Sequence, residues 1–95
     1  MGKLIPIVIP AYEPDDKLIS LMDSLVSAGL SPVVVVNDGS DKNTYGRIFE
    51  EVAGRGAMVL EHDVNRGKGR ALKTAFEYCL NEYKDMVGVI TADSD

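Results

Sequence analysis

Four short apolar runs alternate along the chain with three longer stretches in which apolar residues return every three or four positions. The runs cover residues 3–9, 33–36, 57–61 and 86–90, and their length suits buried strands. The first is apolar on both faces, as expected of a strand covered by helices on each side. Pro6 interrupts it, because a proline donates nothing to a ladder. The run at 33–36 is four consecutive valines, which are strong strand formers. The longer stretches predict helices. Leu18, Leu21, Met22, Leu25 and Val26 share one face over about 15–28, before Gly29. Tyr45, Ile48, Phe49 and Val52 do so over about 44–53, ahead of Gly54 and Gly56. Leu72, Ala75, Phe76, Cys79, Leu80 and Tyr83 form the longest stripe, over about 67–83. Gly after the last periodic residue is a common helix stop.

The resulting order is βαβαβαβ, without linker, repeat or low-complexity segment. Strands that alternate with helices imply a parallel sheet with right-handed crossovers. The expected fold is therefore α/β and Rossmann-like. It has three layers around a four-stranded parallel sheet of order 3-2-1-4. The first two helices cover one face and the third covers the other. Ligands of such sheets gather beyond the carboxyl ends of the strands, where the strand order reverses. Here that point lies between strands one and four. The polar loops at residues 10–16, 37–43, 62–70 and 91–95 all follow strands, so all four meet on that edge.

Composition narrows the function. Ninety-five residues make one domain with a modest core. The net charge of −5 offers no basic excess for nucleic-acid phosphates. Cys79 is a lone cysteine without an internal disulfide partner, which points to a reduced, cytoplasmic setting. No apolar run reaches the length of a membrane span, and the N-terminus lacks the apolar region of a signal peptide.

The loops carry the chemistry. Asp93 and Asp95 end the fourth run two residues apart. In extended backbone they point to one side. Two carboxylates about 4 Å apart repel by roughly 4 kcal/mol at an effective dielectric of 20, so the pair either holds a hard cation such as Mg²⁺, Mn²⁺ or Ca²⁺ or is simply an acidic, polar segment. Tyr12 lies beside the switch point and either stacks on a base or packs over its own loop. Asp38 either accepts a nucleobase N–H or serves as an Asx-turn residue ahead of Gly39. Arg66, Lys68 and Arg70 crowd the start of the third helix, where basic residues oppose the dipole; they either serve an external anion or form a solvated basic loop. Lys68 is the first choice for the phosphate contact, with Arg66 and Arg70 as alternatives. The glycines at 67 and 69 match neither a dinucleotide fingerprint nor a Walker loop. His62 is expected to be structural, and Cys79 to be core.

Four segments together resemble family-2 glycosyltransferases of GT-A fold, the group that includes dolichyl-phosphate mannose synthases. They are Ile9-Pro-Ala-Tyr12, Val35-Val-Asn-Asp-Gly-Ser40, Asn65-Arg-Gly-Lys-Gly-Arg-Ala-Leu72 and Thr91-Ala-Asp-Ser-Asp95. The resemblance implies inverting transfer of a sugar from a UDP- or GDP-linked donor to an acceptor hydroxyl, aided by Mg²⁺ or Mn²⁺. It implies that Asp93 and Asp95 belong to a DxD metal motif. It also implies that Pro10, Ala11, Tyr12, Glu13, Asp38, Lys68 and Asp93 surround the nucleotide. Glu13-Pro14 stands where the family often has Asn-Glu, so the acidic nucleoside contact is either Glu13 or missing. The acceptor site and catalytic base of the family lie downstream of its DxD. Residues 1–95 then form the donor-binding half, truncated after that motif and inactive alone. Its fourth strand is an exposed edge open to self-association, and its parent is soluble or held at the cytoplasmic face of a membrane. The alternative is a non-catalytic α/β module that binds a nucleotide or a protein partner.

Overall fold

The structure, a computed structural model, describes residues 4–93. In chain order the elements are β1 (Ile7–Ala11), α1 (Asp16–Ser27), β2 (Val33–Asp38), α2 (Lys42–Gly54), β3 (Met58–His62), α3 (Lys68–Glu82) and β4 (Ile90–Thr91). The sheet order is β3-β2-β1-β4, parallel throughout. Expected topology and observed topology agree.

Each face of the sheet has its own core. Ile7, Ile9, Val33 and Val35 pack against Leu18 and Met22 of α1 and Ile48, Phe49 and Val52 of α2. Val8, Val34 and Val36 face the other way, onto Ala71, Ala75 and Cys79 of α3. The division follows from the two-residue period of strands. β2 is central and buried along its whole length, which is why an unbroken valine run suits it.

The starts of α1 and α2 are capped by aspartates. The Asp15 carboxylate accepts the Lys17 N–H at 2.9 Å, and that of Asp41 accepts the Thr44 N–H at 3.0 Å. Such caps satisfy donors that have no partner within the helix. Asp41 also moves the start of α2 two residues ahead of the expected position.

Two expectations about apolar stripes are corrected. α3 turns Ala71, Ala75 and Cys79 inward, flanked by Leu72, Tyr78 and Tyr83; Phe76 and Leu80 are exposed. The small residues form the inner line, so the helix presents its slimmest face to the sheet. The fourth strand is Ile90–Thr91 rather than 86–90. Val87 N–H bonds the Leu4 carbonyl at 3.1 Å, and pairing resumes where Ile90 N–H reaches the Pro6 carbonyl at 2.9 Å. Pro6 accepts through its carbonyl but has no N–H to give, and the three-residue step from Val87 to Ile90 faces a two-residue step from Leu4 to Pro6, so the ladder breaks beside it. β4 is the outer strand of the described sheet, and both its residues are exposed.

Candidate functional site

Beyond the carboxyl ends of the strands lies a cleft of about 310 Å³, lined by Pro10, Ala11, Tyr12, Asp38, Asn65, Lys68 and Asp93. These residues come from the carboxyl ends of β1 and β2, from the segments that follow β1, β3 and β4, and from the start of α3. Of the seven residues expected around a nucleotide, six line this cleft. The seventh, Glu13, lines an adjoining cavity of about 640 Å³ together with Tyr12, Asn37, Ser40 and His62. Tyr12 stands between the two spaces and is half exposed. The Glu13 carboxylate beside it, and then partial burial, raise the Tyr12 phenol above its ordinary pKa. Arg66 and Arg70, the alternatives for phosphate contact, are not among the residues lining the cleft.

The β1 and β2 loops are tied together. Glu13 has φ 49°, uncommon for a residue with a side chain. Its N–H donates to Ser40 Oγ at 2.8 Å, and Ser40 in turn donates its N–H to Asn37 Oδ1 at 2.9 Å. Asn37, not Asp38, therefore forms the Asx-type turn of this loop. The division again follows strand parity. Asn37 shares a face with Val33 and Val35, on the α1–α2 side; Asp38 shares one with Val34 and Val36, under α3.

Asp38 is opposite His62 in the β2–β3 register. Its carboxylate is almost fully buried. Oδ1 accepts from His62 Nδ1 at 2.7 Å and from the Arg66 N–H at 2.9 Å. Oδ2 accepts from the Gly67 N–H at 2.9 Å and from Asn65 Nδ2 at 3.2 Å. Burial alone would raise its pKa. The hydrogen bonds from His62 and from the Arg66 and Gly67 amides outweigh burial, and the net shift is downward. His62 continues the chain through Nε2 to Thr74 Oγ1 on α3 at 2.8 Å. The expected structural role of His62 thus has a specific form. Two participants are not singled out from the sequence: Thr74, which sits on a helix, and Asn65, which opens one of the four family-like segments but is given no role of its own there.

Lys68 opens α3 and reaches Asp93 Oδ2 at 3.0 Å. Both side chains are about half exposed, so the pair costs little to separate. Asp95, the second residue of the expected metal pair, lies outside the described residues. Among the described residues no group of three His, Cys, Asp or Glu side chains is gathered for a metal. A single accessible carboxylate does suit Mg²⁺, which commonly combines one or two carboxylates with phosphate oxygens and water.

Residues 7–95 match the family described as glycosyl transferase family 2. The chain belongs to glycosyl transferase family 2. Within the curated proteins, an uncharacterised protein of Methanocaldococcus jannaschii is 34% identical over 90 residues, covering 94% of this chain and 34% of that protein. The UDP-N-acetylglucosamine–dolichyl-phosphate N-acetylglucosaminyltransferase of Methanococcus voltae is 28% identical over 93 residues, covering 79% of this chain and 37% of the enzyme. This family-2 chain spans about a third of the length of these relatives. Among its described residues no helix is long and apolar enough to cross a membrane.

Proposed function

We propose that this chain is the donor-binding part of an inverting glycosyltransferase, which takes a sugar from a nucleotide-diphosphate donor to an acceptor hydroxyl. The observation that carries this reading is the cleft at the switch point. It brings an exposed aromatic ring, a lysine and an aspartate onto one edge of a family-2 domain. Each suits one part of such a donor. The Tyr12 ring offers a stacking face to the base, worth about 1–3 kcal/mol. Lys68 offers charge to the diphosphate. In doing so it exchanges the Asp93 carboxylate for phosphate oxygens.

Asp93 is the described residue that would hold Mg²⁺ or Mn²⁺, with Asp95 as the second ligand of the motif. The ion would neutralise charge on the diphosphate. The name of the Methanococcus voltae relative favours a UDP-linked donor and a lipid-phosphate acceptor over the GDP-linked alternative. Acceptor and catalytic base are assigned to a further part of the parent, so the chain alone binds without turnover. The parent works in the cytoplasm or at the cytoplasmic face of a membrane.

A two-dimensional amide NMR titration with UDP, GDP and dTDP, each with and without Mg²⁺, tests the reading. Metal-dependent shifts at Tyr12, Lys68 and Asp93 with one nucleotide are the expected outcome. A folded chain that shows no shift with any of the three would refute it.

A further inference from the structure

Among the described residues Glu13 is the one non-glycine with positive φ, at 49°. Two local rules oppose that conformation. A side chain disfavours the left-handed region, and Pro14 pushes the residue before it toward extended backbone. A contact from elsewhere in the fold must therefore hold Glu13 there. The Ser40 hydroxyl supplies it, accepting the Glu13 N–H at 2.8 Å. Ser40 is buried, and its own N–H donates to Asn37 Oδ1 at 2.9 Å. Asn37 is a buried residue of β2, paired with Ala11 of β1. The hold on Glu13 thus runs back to the central strand.

Tyr12 and Glu13 are exposed, whereas Ala11 before them and Pro14 after them are buried. The peptide that joins Tyr12 to Glu13 is consequently a link between two packed ends, and its amide is the one Ser40 holds. Without that bond the peptide can turn over. Glu13 then returns to negative φ, and ψ changes at Tyr12. The Tyr12 ring stands on that residue, between the cleft and the adjoining cavity. The Glu13 carboxylate lies beside the ring's hydroxyl, so the same turn sets the charge that the phenol meets. Ser40 lines the adjoining cavity and is not among the residues lining the cleft.

We propose that Ser40 is a positioning residue for Tyr12: its hydroxyl holds Glu13 in the left-handed conformation and so aims the Tyr12 ring at the base. This rests on the donor-nucleotide reading of the cleft, and it adds a residue that acts through the ring rather than on the nucleotide.

A double-mutant cycle tests the link. UDP and GDP, each with Mg²⁺, are titrated calorimetrically into wild type, Ser40→Ala, Tyr12→Ala and the double variant. Ser40→Ala should weaken the nucleotide that wild type prefers about three- to tenfold, the scale of a neutral hydrogen bond. Tyr12→Ala should weaken it about five- to 150-fold, the scale of stacking on one base. The double variant should bind as Tyr12→Ala does, because the hydroxyl acts only through the ring. Equal losses from Ser40→Ala in both backgrounds would mean that Ser40 meets the nucleotide itself, and would overturn the proposal. A folded Ser40→Ala that binds as tightly as wild type would overturn it too.

A measurement without ligand supplies the second readout. The Glu13 carboxylate raises the Tyr12 phenol above its ordinary pKa. In Ser40→Ala, as the carboxylate leaves the ring, an NMR titration of Tyr12 should fall toward the ordinary value of about 10. A Ser40 that serves stability alone would leave that titration where it is, so an unchanged value would refute the positioning role. Wild type that binds neither nucleotide would sink the donor reading beneath the proposal, and the Tyr12 titration would still decide whether Ser40 sets the ring.

Discussion

Gly39→Ala is the substitution for which the structure makes its sharpest demand. Gly39 follows β2 directly and has φ 80°, the left-handed region in which a side chain costs about 1–2 kcal/mol. A Cβ built there would also penetrate the backbone of the Val64–Asn65 peptide, through Val64 C and Cα and Asn65 N. Backbone atoms cannot rotate aside, so the β3–α3 loop must move, an overpacking cost of about 1–3 kcal/mol. Reduced freedom of the unfolded chain returns up to about 1 kcal/mol. The net loss is then about 2–4 kcal/mol, a large share of the roughly 5–15 kcal/mol of a small domain.

The melting temperature should fall by about 8–32 °C, at about 4–8 °C per kcal/mol for this size. Gly46→Ala is the internal control. It lies within α2, has no positive φ, and an added Cβ there meets nothing within 4 Å. It should stabilise by up to about 1 kcal/mol. Urea melts of the two variants beside wild type decide the matter. A Gly39→Ala variant within about 1 kcal/mol of wild type would refute the close packing of the β2 turn on the β3–α3 loop. The control excludes a general effect of replacing glycine.

The acid limb of stability should report Asp38. Its pKa is depressed by folding, so it stabilises fully above the ordinary carboxylate value of about 3.9 and loses that contribution as pH falls through the lower folded value. Asp38→Asn should therefore flatten the fall in stability below about pH 4, by at most about 1.4 kcal/mol per pH unit for one proton; parallel acid limbs would count against it. Lys68→Ala should leave the melting temperature nearly unchanged, since its pair with Asp93 is exposed, while weakening UDP more than UMP; equal weakening of both would remove Lys68 from the diphosphate. Cys79 is buried in the α3 core and burial raises its thiol pKa, so native alkylation should wait for unfolding and speed up in Gly39→Ala. Rapid labelling of native wild type would contradict that burial. The exposed β4 edge should give concentration-dependent self-association in sedimentation, suppressed by Ile90→Lys; a monomer at every concentration would dismiss it.

The fold was largely legible because its signals are local. Runs of four to seven apolar residues, stripes at helical spacing and glycine stops each lie within one element. Connection rules then leave few topologies for strands that alternate with helices. Errors arose where a local pattern met a tertiary constraint. Phe76 and Leu80 fit the apolar stripe of α3, but the sheet accepts the line of Ala71, Ala75 and Cys79 because small side chains allow close approach. The run at 86–90 has strand composition, yet Pro6 on the neighbouring segment denies it a donor.

Which residues meet in the cleft was legible, and their bonding was not. Six expected residues line one cleft because the parallel sheet brings every post-strand loop to the same edge. What each does there depends on register and parity, which a single chain of letters does not display. Asn37 and Asp38 are adjacent and chemically alike. One residue of alternation sends Asn37 toward α2, where it forms the turn with Ser40. The same step sends Asp38 under α3, opposite His62. An acidic residue at a strand end in this family invites assignment to the ligand, and its bonding over separations of 24 to 29 residues argues for an internal task first. The four bonds to that buried carboxylate tie the end of β3 and the start of α3 to β2, and they hold Asn65 and Lys68 at the cleft beside Tyr12.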